Sequence, residues 1–199
     1  MNSACNIDLL RHGVTVGGSR FYGKTDIPIS RLGMSQMWTS TQKLSPHWDH
    51  IITSPLVRCA DFAQALGQRY SIPVTFEGRI KEINFGCWEG YTAAEIMKTD
   101  ADALTRFWES PLIYPPKDGE YLLNFQARVL CAWQDIAKAY AGKKVLLITH
   151  SGVIRTILCH IATKPIESLL DFEVEHASMR RVLVTQNKGL SHATLLTDP

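Results

Sequence analysis

Two short apolar runs, Ile7–Leu10 and Val145–Thr149, each lead to a histidine, and their near-continuous hydrophobicity is that of strands covered on both faces. His50–Thr53 predicts a third strand, closed by Ser54-Pro55, after which Leu56, Cys59, Ala60, Ala63, Leu66 and Tyr70 recur at helical spacing. Leu122, Phe125, Val129, Ala132, Trp133, Ile136 and Tyr140 mark one face of a long helix. Ile154, Ile157, Leu158 and Ile161 mark another directly after the second histidine. This alternation predicts an α/β fold, a three-layer α/β/α sandwich with a mostly parallel central sheet. Ligands in such sheets bind outside the carboxyl ends of the strands, where His12 and His150 would stand.

Towards the end, Arg180–Gln186 and Leu190–Thr197 flank the turn-forming cluster Asn187-Lys188-Gly189 and predict a hairpin of edge strands. The pattern weakens over residues 77–119, where Gly78, Gly86, Gly90 and the Pro111, Pro115, Pro116 cluster break up helical pieces at Thr92–Lys98 and Ala101–Glu109. That stretch is expected to form a lid on a single domain spanning residues 1–199.

With 199 residues, 45% of them apolar and 20% charged, the chain can bury one substantial core. Its net charge of +2 is spread over interspersed cations and anions, which predicts no nucleic-acid partner. No segment approaches the ~18 apolar residues of a membrane span, and the N-terminus lacks a basic region followed by a long apolar run, so a cytoplasmic protein without a membrane partner is expected. Cys5, Cys59, Cys87, Cys131 and Cys159 are odd in number and widely spaced; small core residues are expected rather than disulfides or a zinc site.

Four clusters could carry chemistry. Leu10-Arg11-His12-Gly13-Val14-Thr15 places a cation and an imidazole where a buried strand gives way to a glycine-containing loop. Ser54-Pro55-Leu56-Val57-Arg58 sets a second arginine in the first turn of a helix, and two forked guanidinium groups from separate strand ends can clamp a phosphoryl group. Thr149-His150-Ser151-Gly152 repeats the arrangement of strand, histidine, glycine and helix, with Ser151 placed to cap. The loop from Lys81 to Gly90 holds Glu82 and Glu89 beside apolar residues, a setting suited to raising one carboxyl pKa for acid catalysis. Each also has a bland reading: a chance turn, a solvated arginine, a capping histidine, a solvated glutamate.

A competing motif is Gly18-Ser19-Arg20-Phe21-Tyr22-Gly23-Lys24-Thr25, which spells the G-x-x-x-x-G-K-T of a nucleotide-binding P-loop. Its context argues against that function, because a segment containing His12 intervenes after the strand and Pro28 disrupts any helix beginning at Lys24.

Taken in order, R-H-G-x-T, S-P-L-x-R, K-E-x-x-F-G-x-W-E-G and T-H-x-G resemble the histidine phosphatase superfamily, also called phosphoglycerate mutase-like, from Leu9 to about Val182. The resemblance implies that His12 is the nucleophile, that Arg11 and Arg58 clamp phosphate, that His150 donates to the transferring oxygens and that Glu82 supplies the proton. Gly13 and Thr15 would line the pocket, and no metal or cofactor would be needed. Which nitrogen of His12 attacks stays open at this point.

The stretch from Arg20 to Ile29 resembles the corresponding loop of the α-ribazole phosphatase subgroup. That likeness implies a small, nucleoside-like phosphorylated partner, either α-ribazole phosphate or a cobalamin phosphate precursor, with Tyr22, Gly23 and Ser151 near the substrate. Phe21, Tyr22, Trp88 and Trp108 are candidates for stacking on a base. A broad-specificity small-molecule phosphatase and a phosphoglycerate mutase are the alternatives, although only Lys98, Arg106 and Lys117 lie between Trp88 and Gly119 to grip a second acidic group. The oligomeric state is open.

Overall fold

The computed structural model describes residues 4–42, 47–187 and 190–196. In chain order the elements are β1 (Ala4–Arg11), α1 (Arg31–Gln42), β2 (His50–Thr53), α2 (Val57–Tyr70), β3 (Val74–Phe76), α3 (Ala93–Glu109), α4 (Leu122–Ala139), β4 (Lys144–Thr149), α5 (Ser151–Ile161), β5 (Met179–Asn187) and β6 (Leu190–Leu196). The strands lie in the order β3-β2-β4-β1-β5-β6. The first four of that order are mutually parallel, and β5 and β6 complete the sheet as an antiparallel pair. The Lys188-Gly189 part of the expected hairpin turn lies outside the described residues.

Alternation along each strand sends side chains to opposite faces of the sheet. Ile7 and Leu9 of β1 and Val145 and Leu147 of β4 pack with α4 and α5. Leu10, Leu146 and Ile148 pack on the other face with α1 and α2. Helices therefore cover both faces, which makes the expected three-layer sandwich and explains why β1 and β4 read as continuous apolar runs.

Two elements escaped the periodicity. In α1 the fully buried positions are Gly33, Met37 and Thr41, so a single apolar side chain is fully buried, with Met34 and Trp38 packed partly buried beside it. Its start was nevertheless written in Ser30, whose hydroxyl accepts the Gly33 amide at 3.0 Å as an N-cap. Strand β3 is three residues long and largely exposed. The two helical pieces expected around residues 92–109 are the halves of α3. A capping box formed by Thr92 and Glu95 starts the first, and the backbone breaks at Asp100, whose carboxylate caps the second through the Ala103 amide. Cys5, Cys59 and Cys159 are buried as expected, but Cys87 and Cys131 are exposed. They sit on a short 3₁₀ turn and on the outer side of α4 rather than in the core.

The register puts the carboxyl ends of β2, β4 and β1 side by side, with Arg11 opposite Thr149 and Thr53 opposite Ile148. The residues that come directly after these strands, His12, Ser54 and His150, therefore emerge at one edge. The loop after β1 is held down by α1, because Gly13 and Gly33 meet backbone to backbone and a Cβ on either would collide with main-chain atoms. A main-chain clash cannot be relieved by a rotamer change. Gly33→Ala is therefore expected to lower stability by about 1–3 kcal/mol, measured as a shift of the urea midpoint; an unchanged midpoint would show that the contact is slack.

Candidate active site

His12 is 7% exposed and follows the last residue of β1. Its Nδ1 lies 2.8 Å from the Gly13 carbonyl. A carbonyl can only accept, so Nδ1 carries the proton and the lone pair of Nε2 is left for the cavity in front of the ring. This cavity of about 320 Å³ is bordered by Arg11, His12, Thr15, Tyr22, Glu82 and Ser151, all singled out in the sequence, and by Arg155 and His176, which were not.

Arg11 gives Nη1 to the Val174 carbonyl at 2.7 Å and Nη2 to His176 Nε2 at 3.0 Å. Its Nε is buried without a partner. Arg11 also lines the cavity, so its guanidinium stands where an anion could be met.

Arg58 and His150 stand one layer behind the wall, both 0% exposed. Arg58 Nε donates to His150 Nδ1 at 3.2 Å, Nη1 to the Thr25 carbonyl at 2.8 Å, and Nη2 to the carbonyls of Tyr22 and Gly23 at 3.0 and 2.9 Å. Since Arg58 must donate, His150 Nδ1 must accept, and the proton sits on Nε2, 2.8 Å from Ser54 Oγ. Both nitrogens of His150 are thus engaged by protein. The resemblance implies that both side chains meet the transferring oxygens; in this arrangement their donors are turned to protein groups. His12 and His150 still meet edge to face, with ring centroids 5.3 Å apart.

Glu82 reaches the wall from the loop before α3. Oε1 accepts the Ile83 amide at 3.0 Å, and Oε2 accepts the Gly152 amide at 3.1 Å and the Ser151 hydroxyl at 3.3 Å. The N-terminus of α5 therefore receives this carboxyl group. Ser151 does not cap α5; the N-cap position belongs to His150, without a side-chain bond. Gly152 lets the carboxyl group in, because a Cβ there would strike Oε1. Arg128 on α4 holds the Glu82 backbone, donating to the carbonyls of Arg79, Lys81 and Glu82 while paired with Glu120.

Glu89 does different work. It accepts the amides of Gly23, Lys24, Thr25 and Phe85 and the Thr25 hydroxyl. Burial pushes its carboxyl pKa up, but the Thr25 hydroxyl and the amides of Phe85, Thr25 and Lys24 outweigh that and leave it below its ordinary value. The P-loop spelling is thereby explained away: a carboxylate of this chain occupies the amides that would cradle a phosphate, and the next helix starts only at Arg31. Gly23 and Gly13 lie behind the cavity wall rather than on it. Thr15 and Tyr22 are on it, their hydroxyls turned to the carbonyls of Gly18 and Gly17 at 3.4 Å. Trp88 packs on Phe107 in a small apolar cluster, and Phe21, which borders the cavity, packs against the same cluster.

A model of the histidine phosphatase superfamily (branch 1) matches residues 7–195. The chain belongs to this superfamily. Phosphatase activity on small phosphorylated molecules is the activity that membership supports. Glucosyl-3-phosphoglycerate phosphatase of Mycolicibacterium vanbaalenii is 29% identical over 170 residues, covering 80% of this chain and 75% of that protein. Phosphoserine phosphatase 1 of Hydrogenobacter thermophilus is 28% identical over 172 residues, covering 86% and 82%. The crystal structure of the alpha-ribazole phosphatase from Shigella flexneri superposes with a TM-score of 0.81 at 21% identity, over 97% of this chain and 96% of that one, a likeness of fold. No helix among the described residues is long and apolar enough to cross a membrane.

Burial, reinforced by the site's cations, keeps its imidazoles neutral. Burial, then the charge of Arg58 and that of Arg11, hold His12 well below 6.5, against the Gly13 carbonyl bond, which works the other way. Burial and Arg58 do the same to His150. Burial and Arg11 bring His176 to about 4. Arg11 is itself lowered to about 10, chiefly by burial. With their folded pKa values depressed, the imidazoles bind protons in the unfolded chain that the fold refuses, so stability from these three histidines is complete above about pH 6.5 and is lost as pH falls. The acid limb of kcat/KM is expected below pH 6.5, and the urea midpoint is expected to decline from 6.5 towards 4. A limb at or above 6.5 would contradict a neutral, enclosed His12.

Proposed function

We propose that this chain is a phosphomonoesterase in which His12 Nε2 accepts the phosphoryl group. The reading is carried by the tautomer that Gly13 fixes, which turns the Nε2 lone pair onto a cavity also bordered by Arg11 and Glu82. Phosphoryl transfer spreads charge over three equatorial oxygens while nucleophile and leaving oxygen stand in line. Arg11 meets those oxygens, and the enclosed Arg58 adds positive field from behind. Nε2 forms a bond to phosphorus, the ester P–O bond breaks, and the departing oxygen takes the proton of Glu82. Water then attacks the phosphohistidine, returns a proton to Glu82 and leaves as part of orthophosphate, and His12 is restored. Residues 77–119, with their own apolar cluster, serve as the lid, and the chain acts as one domain.

For the substrate, the loop from Arg20 to Ile29 and the fold shared with the Shigella flexneri enzyme support α-ribazole phosphate or a cobalamin phosphate precursor. The names of the two relatives favour a second reading, a phosphorylated hydroxy acid or amino acid. Hydrolysis of α-ribazole 5′-phosphate, phosphoserine, 3-phosphoglycerate and p-nitrophenyl phosphate, with and without 2,3-bisphosphoglycerate and chelator, ranks them. Bisphosphoglycerate-dependent interconversion of phosphoglycerates would make the chain a mutase instead. His12→Ala is expected to abolish turnover and acid-labile labelling by substrate phosphate. Glu82→Gln is expected to slow alkyl esters by about 10²–10⁴-fold and activated aryl esters far less; equal slowing of both would remove Glu82 as proton donor.

A further inference from the structure

A second chamber of about 130 Å³ adjoins the His12 cavity and shares with it Phe21, Glu82, Phe85, Ser151 and Arg155. Its remaining wall is apolar and includes Phe107, Trp108, Leu122 and Leu169. Glu82 stands on the shared wall, so an ester oxygen protonated by it lies at the junction. The phosphoryl group then falls on the His12 side and the body of the alcohol on the apolar side.

Arg155 is the cation of this junction. It lies on α5 one turn beyond Ser151, on the same face of the helix. Its Nε donates to the Phe172 carbonyl at 2.9 Å, which anchors the guanidinium. No described residue accepts from Nη1 or Nη2, and no described carboxylate forms an ion pair with it. A half-buried, anchored fork with free donors against apolar walls fits a planar anion, and the phosphoryl group already has Arg11.

We infer that the leaving alcohol carries a second acidic group, a carboxylate, received by the fork of Arg155 while its compact apolar body fills the chamber. This rests on the phosphomonoesterase reading and names the substrate class of that site: phosphate esters of small hydroxy acids, rather than of neutral nucleosides. Arg155 is then the residue that sets specificity.

The test is a matched pair, meta-carboxyphenyl phosphate and meta-tolyl phosphate, which differ in the carboxylate and share the ester. Wild-type enzyme is expected to prefer the carboxylated ester in kcat/KM by about tenfold or more, and Arg155→Met is expected to remove about ten- to a hundredfold more activity on it than on the tolyl ester. Equal losses on both esters would make Arg155 a phosphate ligand and overturn the inference, as would no loss on either. If Arg155→Met fails to fold, the wild-type ratio decides, and a value of one or less overturns the inference. Turnover of the tolyl ester with His12-dependent labelling but without preference leaves the phosphatase reading standing and this one refuted; no turnover of either ester refutes both.

Discussion

A fully enclosed guanidinium, that of Arg58, is the group on which the site's architecture depends. Removing a cation from water costs several kcal/mol unless its donors are met, and here three carbonyls from residues 22–25 and one imidazole nitrogen meet them. Those carbonyls face inward because Glu89 gathers the amides of Gly23, Lys24 and Thr25 from the other side. One loop thus lies between a buried cation and a half-buried anion, each satisfying the opposite polarity of the same peptide groups. The arginine orients His150, His150 meets Ser54, and the carboxyl ends of β2 and β4 are locked together.

This arrangement also governs the nucleophile. Arg58 and Arg11 act on His12 as like charges, reinforcing burial to keep the ring neutral. The same positive field that draws a phosphoryl anion into the cavity therefore keeps the attacking lone pair free. Burial and the same cations thus serve both recognition and nucleophilicity, and pH links both to the integrity of the fold.

Much of the fold was legible because β1, β4, α2, α4 and α5 bury conventional apolar faces. Helix α1 was not, since Gly33 and Thr41 carry two of its three fully buried positions, and only the cap at Ser30 announced it. At the site, local motifs located His12, Glu82, Arg58 and His150 but not their mutual partners. The pairing of His150 with Arg58 spans 92 positions of sequence, which no local pattern encodes. His176, Arg128 and Arg155 stood outside the four motifs; of these, Arg155 alone had a local signal, its helical spacing from Ser151. Glu82 and Glu89, seven residues apart in one loop, were indistinguishable as letters. One borders the cavity, and the other is absorbed by backbone amides.

Trp108 is 44% exposed and also forms part of the apolar chamber's wall, whereas Trp48, Trp88 and Trp133 are buried and Trp38 is partly buried against the other face of the sheet. An indole at such a boundary is an intrinsic fluorophore whose surroundings change from water to ligand when the chamber fills. Occupancy of the leaving-group side can thus be followed by emission colour in the unlabelled protein, independently of whether any ester bond is broken.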